Sequence, residues 1–134
     1  MSTKIVFVSC AYAIHRPVQP AWQQILDQVP DADLLLMLGD TAYMNWFGGW
    51  ELRKLEPCYE AQFKIASFLQ LIKKVPTLAI WDDHDCDIND VRGAEFPDEV
   101  QQSRKLFDRW MGFAVKSAVP KGTTSTTSCP MCAS

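Results

Sequence analysis

The sequence predicts an α/β fold, and three observations carry that prediction. Short apolar runs at residues 4–10, 33–39 and 77–82 have the length and the bounding turn residues of buried strands. Amphipathic helical segments lie between them, near residues 20–28 and 51–74, and another follows near 98–112. Alternation of this kind indicates βαβ units with right-handed crossovers, and therefore a largely parallel sheet with flanking helices.

Each predicted strand ends in side chains that could bind a ligand. The first is followed by Ser9 and Cys10, the second by Gly39 and Asp40, and the third by an acidic segment that begins at Asp82. The continuous apolar character of the second run is typical of a strand covered on both faces. Because ligands gather at the carboxyl ends of parallel strands, these three strand ends are expected to converge on one site.

The helical segments are predicted from their apolar spacing. Between residues 51 and 74, apolar residues recur at intervals of three and four, which indicates one long helix with a single buried face. Pro57 is expected near the start of this helix or at a break, and Pro76 closes the segment. The last helix opens at Pro97, and Asp98 and Glu99 place acids in its first turn. The predicted buried faces are Ala61, Ile65, Phe68, Leu69 and Ile72 in the long helix, and Leu106, Phe107, Trp110 and Met111 in the last.

Composition excludes several functional classes. The net charge of −3 comes without a basic stripe, which argues against a nucleic-acid-binding surface. No run approaches the roughly 20 apolar residues of a membrane span, and no secretory leader is recognisable, so a cytoplasmic protein is expected. Five irregularly placed cysteines favour reduced thiols over a disulfide framework. Oligomeric state is not predicted by any of these features.

The chain is expected to divide into a folded domain at residues 1–113 and a disordered, low-complexity tail at 114–134. The tail is rich in Ser, Thr, Pro and Gly, with too few apolar residues for a core. Cys129 and Cys132 have the spacing of a metal or redox pair. Because no second ligand pair and no thioredoxin-like context accompany them, they are interpreted as incidental.

The segment from Asp82 to Asp90 is the strongest functional signal. It gathers five carboxylates and one imidazole, that of His84, at the end of a strand, where like charges disfavour one another unless a cation neutralises them. A solvated loop capped by Asp and Asn side chains is the structural alternative. A calcium loop of the EF-hand type does not fit, because its glycine position would be Ile88 and its twelfth ligand Ala94. The segment therefore favours a hard metal centre.

The other two strand ends supply further candidate ligands. Asp40 follows a buried strand, and a carboxylate there can bridge two cations. Tyr43, three residues on, can reach the same ion as a phenolate, although a buried structural tyrosine remains an alternative. Cys10 can be a small apolar residue at a strand end or a thiolate ligand, and a thiolate would favour a transition metal over magnesium.

Together, Ser9-Cys10, Leu38-Gly39-Asp40 with Tyr43, and Ala79 to Asp85 resemble the alkaline phosphatase D family, the PhoD-like branch of the calcineurin-like metallophosphoesterases. The resemblance spans residues 4–113. It implies a β-sandwich flanked by helices and a dinuclear or polynuclear centre of Fe³⁺ and Ca²⁺ bridged by Asp40. It also implies Cys10, Tyr43 and Asp83 as ligands, His84 as the catalytic histidine beside Asp85, and Asp82 as a weaker candidate ligand.

The implied activity is metal-dependent hydrolysis of phosphate monoesters or diesters. Bridged cations would lower the pKa of a water and offset charge during in-line attack, while His84, beside Asp85, donates a proton to the leaving oxygen. Family members are longer and draw further metal-binding histidines from a second half of the sandwich, whereas this chain has only His15 and His84. The sequence therefore predicts a partial sandwich with its second half missing and impaired activity.

The residues leave two other functions open. One is an inactive metal-binding or interaction remnant that exposes apolar sheet to a partner. The other, a nucleotide binder or phosphotransferase, lacks a glycine-rich phosphate loop and ranks lowest.

Overall fold

The computed structural model describes residues 2–43, 52–86 and 97–118 and has an α/β fold. Its sheet has three parallel strands in the order β1-β2-β3: β1 (Ile5–Val8), β2 (Leu34–Leu38) and β3 (Thr77–Ile80). In the register, Phe7 pairs with Leu36, and Leu36 with Leu78. The predicted α/β class with a parallel sheet and flanking helices is confirmed.

Four α-helices are present in the described ranges: α1 (Pro20–Gln28), α2 (Leu52–Phe63), α3 (Ala66–Lys74) and α4 (Pro97–Ala118). A 3₁₀ turn, Asp83–Cys86, directly follows β3. Pro20 begins α1, where the missing N–H costs nothing and the fixed φ favours the helix. Helix α1 packs on α3, α2 packs on α4, and α4 packs on β3 and the 3₁₀ turn.

The prediction of one helix over residues 51–74 is wrong, because the segment forms two helices. Ile65 is extended, with φ −76° and ψ 111°, and α3 restarts after it. The two halves bury their faces against different partners, α4 for the first and α1 for the second. Across the break, the rings of Phe63 and Phe68 meet edge to face at 5.4 Å. Pro57 does not mark this break and lies inside α2.

The hydrophobic core lies between the helices and one face of the sheet. Strand residues Leu35 and Met37 point into it, and the apolar residues of α4 are buried as predicted at Leu106, Phe107 and Met111. Phe68 and Ile72 of the predicted long-helix face are buried, whereas Ile65 and Leu69 pack against the core while only half-buried. The helical spacing therefore identified the correct face even though it missed the break.

The opposite face of the sheet carries apolar side chains that no described element covers. Phe7 is 70% exposed, and Ile5, Leu38 and Ile80 are also exposed. The strand pairing places Ile5 beside Leu34 and Leu38 beside Ile80, so these side chains share one face. Within the described ranges, β2 is therefore fully buried on one face only, contrary to the expectation from its continuous apolar run.

The last helix continues beyond the predicted domain boundary at residue 113. Because α4 runs to Ala118, the first part of the predicted disordered tail, 114–118, is helical. The remainder of that prediction, including Cys129 and Cys132, lies outside the described residues. Within residues 2–43, 52–86 and 97–118, no helix combines the length and hydropathy that crossing a membrane requires.

Candidate metal centre

Two residues at neighbouring strand ends adopt left-handed backbone conformations. Cys10 has φ 60° and Asp40 has φ 57°, and Gly39 between the strand and Asp40 has φ 95°. For a residue with a side chain this conformation costs about 1–2 kcal/mol. The two turns are held together by backbone hydrogen bonds, because Ala11 N–H donates to the Asp40 carbonyl at 2.9 Å and Cys10 N–H to that of Gly39 at 3.3 Å. Strain concentrated in adjacent turns is typical of a functional site.

The carboxylate of Asp40 lies at the centre of the site and is 7% exposed. Its Oδ2 accepts a hydrogen bond from the hydroxyl of Tyr43 at 2.7 Å and from the thiol of Cys10 at 3.5 Å. Its Oδ1 is buried and has no hydrogen-bond partner among the residues that the structure describes. A buried carboxylate oxygen without a partner is costly, and a bound cation would satisfy it.

The 3₁₀ turn after β3 brings two more candidate ligands to Asp40. One ligand atom from each of Asp40, Asp83 and His84 lies within 4.8 Å of the others. His84 is buried and Asp83 is half-buried. Two carboxylates and one imidazole are a suitable donor set for a divalent or ferric cation. The residues present therefore fit a metal centre.

Aromatic rings extend from this group toward the turn after β1. The Tyr43 ring stacks on His84 with centroids 4.1 Å apart, and Tyr12 meets the edge of Tyr43 at 5.1 Å. His15 contacts the other side of Tyr12 at 4.9 Å. These contacts fix the position of the Tyr43 hydroxyl beside Asp40.

Tyr43 is a neutral hydrogen-bond donor in this arrangement. Burial raises the pKa of its hydroxyl most, and its hydrogen bonds with Cys10 and Asp40 and the charge of Asp40 raise that pKa further. A phenolate at this position therefore requires a cation to offset the neighbouring negative charge.

Asp85 has no exposed surface and joins three segments of the chain. Its Oδ2 accepts hydrogen bonds from the backbone N–H of Asp40 at 2.7 Å and of Asp82 at 3.1 Å. Its Oδ1 accepts from the N–H of Ala42 and from the hydroxyl of Tyr59, both at 3.0 Å. Asp85 thereby ties the turn at residues 40–42 to the 3₁₀ turn and to α2.

Burial has the largest effect on the pKa of Asp85 and on that of the Tyr59 hydroxyl that donates to it. It raises the pKa of Asp85 to about 7, against hydrogen bonds from Ala42, Asp82 and Tyr59 that act to lower it. Burial and the charge of Asp85 raise the pKa of the Tyr59 hydroxyl well above its usual value. Since the Asp85 carboxylate is enclosed by four donors, the geometry favours a positioning role over the predicted catalytic one.

Gly39 and Asp82 are in close contact where β2 and β3 end. A Cβ atom on Gly39 would lie 2.6 Å from the Cβ of Asp82, so only glycine fits at this position. Asp82 is exposed, its Oδ1 accepts a hydrogen bond from Asp83 N–H at 2.9 Å, and it does not belong to the group formed by Asp40, Asp83 and His84. Asp82 is therefore outside the group that its neighbours form.

Of the residues predicted for the site, the structure brings five together: Cys10, Asp40, Tyr43, Asp83 and His84. Asp82 and Asp85 lie next to them but face other partners. Sequence reasoning missed Tyr12 and Tyr59, because a tyrosine in a loop or helix carries no local signal of the residue it contacts. The rest of the acidic segment, from residue 87 onward, lies outside the described residues.

Comparisons with known proteins identify no relative. A scan against family models, a search of curated proteins and a search of solved structures each find no match. Function therefore has to be argued from the site.

Proposed function

We propose that this protein hydrolyses phosphate esters at a metal centre bridged by Asp40. The observation that carries the proposal is the gathering of candidate ligands around the Asp40 carboxylate. Cys10 and Tyr43 contact its Oδ2, and one ligand atom each of Asp40, Asp83 and His84 lies within 4.8 Å of the others. A carboxylate among several donors could hold two cations that act together on a phosphoryl group.

The candidate donors differ in chemistry, which supports two different metals. Thiolate and phenolate donors from Cys10 and Tyr43 would suit Fe³⁺, whereas the carboxylates of Asp40 and Asp83 would suit a hard cation such as Ca²⁺. When bound, such cations lower the pKa of a water and stabilise charge on phosphoryl oxygens. Asp40, with its unpartnered Oδ1, is the residue best placed to hold both.

Two roles are open to His84, metal ligand and acid, and we propose the second: His84 donates a proton to the leaving oxygen, while Asp40 and Asp83 hold the metal. The His84 ring is held against Tyr43 at 4.1 Å, which fixes its orientation at the edge of the site. Proton transfer from a positioned imidazole contributes about 10²–10⁴-fold to a hydrolytic rate. The residues resemble those of the PhoD-like metallophosphoesterases, and we infer that the sheet is one layer of a sandwich of that type. The uncovered apolar face supports this inference.

The test is metal content and turnover measured on the same sample. The chain is purified, supplied with iron and calcium, and assayed with a chromogenic phosphomonoester and a phosphodiester, while metal is measured by elemental analysis. We expect bound metal and turnover, both lost in Asp40→Asn. The control is Asp108→Asn, which makes the same chemical change on the exposed side of α4. Equal turnover in the two variants would contradict the proposal.

The alternative is an inactive metal-binding or interaction remnant. The exposed face around Phe7 favours it, because uncovered apolar sheet is a site for association. Two bound cations per chain, without turnover of either ester, would support this alternative over the proposed enzyme.

A further inference from the structure

A pocket lies next to the metal site, and the proposed hydrolysis assigns no part of the substrate to it. It has a volume of about 610 Å³ and opens between the turn that follows β1 and the start of α1. Cys10 and Tyr43, two of the proposed ligands, form part of its lining. A volume in this range accommodates a small organic molecule.

Part of the pocket lining is apolar and includes Val18, Pro20 and Trp22. Val18 is 83% exposed, whereas Trp22 is 4% exposed and contributes little of the surface. Trp22 is fixed in place, since its Nε1–H donates to the side chain of Gln19 and its ring packs on Phe68 at 5.1 Å. An apolar portion of a ligand would therefore meet Val18 and Pro20 on a base that Trp22 holds in place.

Arg16 is the one Lys or Arg in the described lining of this pocket. Its backbone N–H donates to the carbonyl of Tyr12 at 2.9 Å, which closes the turn after β1. Pro17 follows and restricts the backbone of Arg16 to extended conformations. Arg16 thereby brings a permanent positive charge to a pocket that also contains the proposed ligands, and a guanidinium binds phosphoryl oxygens well.

We infer that this pocket binds the alcohol portion of the substrate and selects phosphate esters of aromatic or similarly apolar alcohols. The inference rests on the proposed function, because it places the phosphoryl group at the Asp40 site. Arg16 pairs with a phosphoryl oxygen, and the surface formed by Val18, Pro20 and Trp22 covers the apolar group.

Binding of non-hydrolysable probes tests the inference without turnover. The full chain, supplied with iron and calcium, is titrated with phenylphosphonate and with methylphosphonate by calorimetry. We expect phenylphosphonate to bind about tenfold more tightly, since burial of a ring contributes at least that much. Equal affinity for the two probes overturns the inference.

Two variants separate the contributions of charge and apolar surface. Arg16→Gln should lower the affinity for both probes by about tenfold, because a charge-assisted hydrogen bond is lost. Its control is Arg109→Gln, which removes the same charge from the exposed side of α4, where Arg109 pairs with Glu56. Val18→Asn should weaken phenylphosphonate by about threefold and leave methylphosphonate unchanged, because only the apolar contact is lost. Equal effects of Arg16→Gln and Arg109→Gln overturn the assignment.

Turnover distinguishes this inference from the proposed function. Selective phenylphosphonate binding without hydrolysis of phenyl phosphate supports the role of the pocket in binding and contradicts the proposed hydrolysis. Equal kcat/KM for phenyl phosphate and glycerol phosphate overturns the role of the pocket in selectivity and leaves the proposed hydrolysis intact.

Discussion

At the scale of single residues, Asp40 lies close to each of the other candidate ligands, Cys10, Tyr43, Asp83 and His84. Its backbone is left-handed, and one of its carboxylate oxygens has no partner within the described part of the chain. The strain is stabilised by the backbone hydrogen bonds on either side. A position that combines strain with an unsatisfied carboxylate oxygen is better explained by ligand binding than by stability.

The role of His84 can be separated from a ligand role by substitution. We expect His84→Asn to retain metal and to lower kcat by about 10²–10⁴-fold, with the larger loss for alcohols of high pKa, because these need a proton to leave. The measurement is kcat for phenyl and p-nitrophenyl phosphate, together with metal content. His15→Asn, the matched change at the other histidine, removes only the ring contact with Tyr12 and should lower kcat far less than His84→Asn does. Loss of metal in His84→Asn would instead identify His84 as a ligand.

Gly39 is expected to be intolerant of any side chain. Gly39→Ala adds a Cβ 2.6 Å from Asp82 Cβ and keeps a left-handed φ of 95°, so we expect it to lower the free energy of unfolding by about 2–4 kcal/mol. Gly112→Ala is the control. Its Cβ meets nothing within 4 Å, and alanine is favoured inside a helix by about 0.5–1 kcal/mol. Denaturant unfolding of both variants measures the difference, and equal effects would contradict the close contact.

At the scale of elements, the site depends on how three segments are fastened together. Asp85 accepts hydrogen bonds from the turn after β2, from the end of β3 and from Tyr59 in α2. The four donors belong to three local structures: Asp40 and Ala42 to the turn after β2, Asp82 to the end of β3, and Tyr59 to α2. The position of Asp40 relative to His84 therefore depends on a buried carboxylate that need not touch the substrate.

Removal of the Asp85 carboxylate should lower the free energy of unfolding more than removal of one of its hydrogen-bond donors. Asp85→Ala leaves four buried donors without an acceptor, and we expect a loss of about 3 kcal/mol or more in unfolding free energy. Tyr59→Phe removes one hydrogen bond and should cost about 1 kcal/mol. Metal affinity is expected to fall in the same order. Chemical denaturation and metal titration are the measurements, and equal losses in the two variants would argue against the fastening role.

At the scale of the whole molecule, the described helices cover one face of the sheet, and no other described segment covers the opposite face. Both crossovers run in the same direction along the order β1-β2-β3, and right-handed crossovers then place the helices on one side. The other side exposes Ile5, Phe7, Leu38 and Ile80. This face is the feature that a covering layer, or another chain, would bury.

The uncovered face should make the protein prone to self-association. We expect Ile5→Thr combined with Ile80→Thr to reduce association at a given concentration, because both replace exposed apolar surface while keeping β-branched side chains. Ile14→Thr is the matched control, since Ile14 is exposed but lies outside the sheet. Sedimentation over a concentration series measures the effect. Association unchanged in the double variant would show that this face is not involved.

Local patterns identified most of the elements and their buried faces. Period and turn residues were sufficient for β1, β2, β3, α1 and α4, because each has a clear apolar pattern and all but β1 have a bounding Gly, Pro or Asp. They were insufficient for the break at Ile65, where neither Gly nor Pro stands. That break arises from packing, because α2 and α3 bury their faces against different helices.

The sequence by itself determined the parallel α/β arrangement and the residues that converge at the strand ends, since both follow from short-range patterns and from the geometry of parallel strands. Only the tertiary structure decided which acids face the site. Asp82, Asp83 and Asp85 are neighbours of one chemical type, yet Asp83 joins Asp40 and His84, Asp82 faces solvent and Asp85 fastens the turns. The direction of each side chain depends on the 3₁₀ turn and on the donors packed around it, which are distant in sequence.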